Sequence, residues 1–109
     1  EAVDNGVFGI DDYGGDINNR ERWPLLLVEY QYLLTFGMWE VGKELWEGGS
    51  LAPEWSDSAN TPSGIEQNNP LGYALFNNYL APVLSKPDLS VLRSMFQDND
   101  GGQSGYMPD

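Results

Sequence analysis

The sequence predicts a mainly α-helical chain with extensive irregular segments, and three observations predict it. Apolar residues recur at threes and fours from Trp23 to Leu45, Asn69-Pro70 and Ser85-Lys86-Pro87-Asp88 each open a shorter stretch of the same period, and Gly, Pro, Asn and Asp dominate what lies between. At 109 residues the chain is one small domain at most. It divides into an extended arm (1–19), a long helix (20–47), a strap-like loop (48–69), two short helices (70–96) and a tail (97–109).

The arm carries Val3, Val7, Phe8, Ile10, Tyr13 and Ile17 without a helical repeat, and Gly14-Gly15 and Asn18-Asn19 are turn formers. Its apolar residues read as anchors along a neighbouring surface, with short local β pairing as the alternative. The first tract of helix that follows has no polar side. From Trp23 to Trp39 the only formal charge is Glu29. Asn18 or Asn19 caps it, Glu21 favours its positive end and Pro24 sits early enough to be tolerated. Leu27, Tyr30, Leu34, Met38, Val41 and Leu45 form one stripe, widened by Leu26, Leu33, Phe36 and Trp39. Beyond Trp39 the other side fills with Glu40, Lys43, Glu44 and Glu47, so the helix turns amphipathic, and Gly48-Gly49 is its stop near residue 47.

Residues 48–69 show no sustained period, and Leu51, Trp55 and Ile65 read as isolated anchors on an extended strap. Asn69-Pro70 opens a second helix over about 70–80, with Leu71, Ala74, Leu75 and Asn78 or Tyr79 along one side. Ser85 to Asp88 reads as a capping box for a third, over about 86–96, bearing Leu89, Leu92, Met95 and Phe96. The tail is Gly-rich and polar.

Composition excludes several chemistries. Five basic against seventeen acidic residues give a net charge of −12, which repels phosphate backbones and anionic lipid. Nucleic acid is therefore not an expected partner. With no Cys and no His, the chain lacks thiolate nucleophiles, imidazole bases and the usual zinc ligands. Asp98, Asp100 and Asp109 fall at positions 1, 3 and 12 of a calcium-loop register, but Gln103 stands where that loop requires glycine. Asp11, Asp12 and Asp16 read as solvated turn acids. Glu40 and Glu44, one helical turn apart, read as a solvated or docking face beside Lys43 rather than an acid–base pair.

An all-apolar helix needs cover that so short and polar a chain is not expected to supply, and an isolated chain is expected to be poorly structured. Seventeen residues with Glu29 inside fall short of the ~20 that a membrane span requires. Cover is therefore expected from a partner protein, contacted by Trp23, Leu27, Tyr30, Leu34, Phe36, Met38, Trp39, Trp46 and Trp55. Glu29 must find a partner within the apolar tract: Arg22, a partner chain or a bound group. If the partners carry chlorophyll, Glu29 is the side chain that can reach its magnesium. No intrinsic cofactor, metal or catalytic residue is expected.

The function these readings imply is a non-catalytic, peripheral accessory subunit that stabilises or bridges integral-membrane subunits of a larger assembly. The favoured setting is an organellar energy-converting complex, photosynthetic and thylakoid-associated before respiratory. A free-standing acidic protein-binding domain is the alternative, followed by a carboxylate-based enzyme or metal-binding protein.

Overall fold

The computed structural model describes residues 1–45 and 48–96. Helices dominate it: α1 (Trp23–Trp39), α2 (Val41–Leu45), α3 (Pro62–Asn68), α4 (Pro70–Leu75) and α5 (Leu89–Phe96). Trp46, expected as an anchor, and the tail with its calcium register lie outside the described residues.

The Asn19 side chain accepts the Glu21 N–H at 3.2 Å, and one tight turn over Arg20–Arg22 feeds directly into α1. Pro24 occupies the first turn, where its missing N–H leaves no bond unmade. The long helix ends at Trp39 rather than near residue 47. Glu40 takes a left-handed conformation (φ 54°), its N–H returning to the Gly37 carbonyl at 3.2 Å, and α2 sets off in a new direction. The turn delivers Val41 and Gly42 to buried positions, and α2 packs against α5. Burial of Val41 offsets the left-handed residue, which a straight continuation would have avoided.

Two expectations for the irregular segments need correction. The 48–69 stretch holds a tight turn at Asp57–Ala59 and then α3, whose Thr61 hydroxyl accepts the Gly64 N–H at 3.1 Å ahead of Pro62 in the first turn. The arm is folded onto its own chain. Phe8 pairs with Trp55 in an isolated antiparallel bridge, where Gly9 N–H meets the Glu54 carbonyl at 2.8 Å and Ser56 N–H meets Val7 at 2.9 Å. Local β pairing, the alternative for this segment, is thus what it adopts. Asn5 Nδ2 donates to the Asn68 carbonyl at 3.0 Å, and the Glu1 carboxylate accepts the Leu71 N–H at 2.8 Å.

These ties build a core on one side of α1. Trp55, Leu34 and Ile65 are fully buried with Val7, and Phe8, Ile10, Leu26, Leu33 and Phe76 surround them. Phe8 stands 5.6 Å from Tyr30 and 6.3 Å from Trp55, and Tyr30 lies 5.8 Å from Trp55, all tilted as aromatic quadrupoles favour. Trp55 Nε1 donates to the Ala59 carbonyl at 2.7 Å, so its polar edge is satisfied inside the core. Close approach depends on Gly37: a Cβ there would lie 2.8 Å from the Ala59 carbonyl oxygen and 2.9 Å from Ile65 Cδ1. The chain therefore covers one side of α1 itself, which corrects the expectation that it has nothing to cover it with.

The second short helix spans its expected range: α4 widens into a π-helical turn over Phe76–Leu80. Asp88, not Ser85, caps the third helix, its Oδ1 accepting the N–H groups of Ser90 (3.0 Å) and Val91 (3.2 Å). The helix accordingly starts at Leu89, and these bonds hold the Asp88 carboxyl below its usual pKa, the Ser90 side chain contributing most.

Candidate docking surface

The second side of α1 is bare. Pro24, Leu27 and Gln31, and beside them Leu25, Val28 and Tyr32, recur at spacings of three and four, and all are exposed, Leu27 and Val28 each at 65 %. That face contains no charge, in a chain that carries −12. On α4 and the turn that follows, Leu71, Leu75 and Tyr79 also point outward, at 68, 41 and 70 % exposure. The stripe expected along the second helix is real, but Gly72 and Phe76 are the positions that face the core.

The two surfaces meet at Leu27 and Leu75. On one side of that seam a groove of about 360 Å³ runs between the N-terminal segment, α1 and α4. On the other a smaller hollow of about 150 Å³ is floored by Leu34 and closed by Leu80. Further round α1, Val28, Tyr32, Phe36, Trp39 and Leu84 line a third depression of about 350 Å³. Tyr32 and Phe36 stack there with ring centres 4.1 Å apart, and Trp39 meets Phe76 edge-on at 6.4 Å.

The expected anchors sort by where the structure puts them. Trp23 and Leu27 are exposed; Trp23 Nε1 donates to the Ile17 carbonyl at 2.7 Å while the Arg20 guanidinium sits 5.3 Å over its ring. Tyr30, Phe36, Met38 and Trp39 are half-buried, each partly engaged within the chain. Leu34 and Trp55 have no surface to offer a partner: both are fully enclosed in this chain's own core. Sequence reasoning passed over Leu25 and Val28. Their signal was present, because the all-apolar tract leaves a second face wherever the first is used.

Glu29 is half-buried and accepts a hydrogen bond from the Tyr13 hydroxyl at 3.3 Å. Its partner comes from the arm rather than from Arg22. Burial, and then the Glu29 charge, push the Tyr13 phenol above its ordinary pKa. Burial likewise raises Tyr30, whose hydroxyl receives the Asn69 side-chain N–H at 2.9 Å. Asn69 is itself 1 % exposed, and its Oδ1 has no partner among the described residues. Glu40 pairs with Lys43 at 2.8 Å, and the break at Glu40 removes the helical spacing that set it beside Glu44. Among the described residues no three acidic side chains are grouped to hold a metal ion, Asp11, Asp12 and Asp16 included. Nor is any described helix long and apolar enough to cross a membrane.

What the geometry offers is therefore a broad apolar surface laid over a folded core. No protein-family model, curated protein or solved structure matches the chain.

Proposed function

We propose that the chain is a non-catalytic, peripheral accessory subunit that docks on a larger protein assembly through the uncharged face of α1 and the outward side of α4. One observation carries the reading: the longest helix keeps an entire face free of charge and exposed, while acids crowd the rest of the sequence. Large contiguous apolar surface is held against water only when something is gained by it, and aromatic residues such as Tyr32 and Trp23 suit an interface core. The negative charge repels anionic lipid, so protein rather than bilayer is the natural cover.

The assembly we favour is an organellar energy-converting membrane complex, photosynthetic before respiratory, with the chain at a thylakoid surface and chlorophyll within reach through partner subunits. The support for that setting is compositional, namely an aromatic content of 13 % in a small acidic chain. Washing the source membranes with alkaline carbonate should release the chain while spanning subunits stay. Val28→Ser with Tyr32→Ser, both at exposed positions, should leave the fold intact and strip the chain from its complex. Full occupancy of the double variant in the purified complex would remove α1 from the interface.

A second reading, a free-standing acidic protein-binding domain, draws on the enclosed core around Trp55. It expects the chain to sediment alone from gently lysed cells, whereas the accessory-subunit reading expects co-migration with a large complex.

A further inference from the structure

The groove between the N-terminal segment, α1 and α4 has a chemistry of its own. Its walls are apolar, from Ile17, Leu26, Leu27, Leu71 and Leu75. Its rim carries Glu1 and Asp4, and among the described residues no lysine or arginine lines it. The bond from the Leu71 N–H pins the Glu1 carboxylate beside the apolar wall. Asn69, 1 % exposed, also lines it, and its Oδ1 has no partner among the described residues.

Resting on the docking reading above, we propose that this groove receives a basic segment of the partner protein: an apolar side chain seated between Leu27, Leu71 and Leu75, with a neighbouring Lys or Arg against Glu1 and Asp4. Charge complementarity selects this occupant. An acidic or neutral apolar segment would leave two carboxylates desolvated beside it, and a second copy of the chain would bring another −12 to the contact. A small amphiphile would fill the groove but leave the adjoining face of α1 uncovered, so a protein segment accounts for more of the surface.

The probe is a synthetic amphipathic Leu/Lys peptide, titrated calorimetrically into the full chain, with a Leu/Glu peptide of identical apolar pattern as comparison. The Lys form should bind at least about tenfold more tightly than the Glu form, and Leu71→Ser with Leu75→Ser should weaken it by about tenfold or more. Glu1→Gln with Asp4→Asn should weaken it severalfold at low salt and flatten its salt dependence. Asp11→Asn with Asp12→Asn makes the same change in net charge away from the groove, and should leave affinity unaltered. The Asn69 side-chain amide signals should shift on binding. Equal effects of the two charge-neutralising pairs, or binding indifferent to the leucine variants, would overturn the proposal in favour of general attraction to an acidic chain. In the source complex, loss of the Val28/Tyr32 variant with full retention of the Leu71/Leu75 variant would sink the groove and leave the docking reading standing; retention of both would sink the docking reading, while the titration still decides the groove.

Discussion

Tyr30 joins the core to the groove. Its ring packs against Phe8 and Trp55, and its hydroxyl accepts the Asn69 side-chain N–H, while Asn69 Oδ1 has no partner among the described residues. Removing that hydroxyl by Tyr30→Phe leaves the buried amide unmatched at both ends, a loss of about 1–2 kcal/mol that urea unfolding will register as a lower midpoint at unchanged slope. Tyrosine ionisation gives a second readout. Tyr13 and Tyr30 both have folded-state pKa values above the ordinary phenol value, so their contribution to stability is complete below pH ~10 and lost as the pH rises toward the folded values. Difference absorbance at 295 nm should therefore show two late-titrating tyrosines, and the chain should unfold on the alkaline side with Tyr30→Phe narrowing that window. Synchronous titration of all its tyrosines at the ordinary value would refute this. Such residue-level facts were only partly legible. Glu29 was recognisable as needing a partner, since an acid stands out in an apolar run, but Tyr13 as that partner depends on how the arm folds back, and no local period encodes it.

Among the elements, the joint between α1 and α2 departs most from what periodicity implies. The run Trp39-Glu40-Val41-Gly42-Lys43 contains no proline, and its one glycine comes two residues after the break, so the stripe reads straight through. Only the burial of Val41, in a short helix that packs against α5 far along the chain, discloses why Glu40 turns left-handed. The joint makes a prediction of definite sign. Glycine at position 40 would cost about 1 kcal/mol in a continuous helix, but at a left-handed residue it relieves about 1 kcal/mol, less a few tenths for the exposed Lys43 pair. Glu40→Gly should thus raise the thermal midpoint, and a fall of several degrees would restore the unbroken helix. Elsewhere local chemistry told more. Thr61-Pro62 is as good a helix start as Asn69-Pro70, and α3 went unread because the Gly, Ser and Asn around it looked like loop. The caps at Asn19 and the early prolines were legible because they act within a few residues of themselves.

The whole molecule is two-faced, with a core on one side of α1 and bare apolar surface on the other. The core around Trp55 should give the isolated chain a cooperative melt with a matching near-ultraviolet signal, in place of the poorly structured state that composition suggests. The bare face should bind a hydrophobic dye, and Leu27→Ser with Val28→Ser should abolish most of that fluorescence without lowering the midpoint, both residues being 65 % exposed. A non-cooperative melt would mean that the partner supplies part of the fold as well as its cover. The bridge between Phe8 and Trp55 also sets an order of events during synthesis. Val7 and Phe8 leave the ribosome long before Trp55, Asn68 and Leu71, to which the first residues are tied. Until those arrive, Phe8 has Tyr13 and Tyr30 to rest against but not the Trp55 ring that closes the cluster. Val7 and Phe8 are thus made well before they can be fully housed, and that interval is when this chain most needs a chaperone's hold.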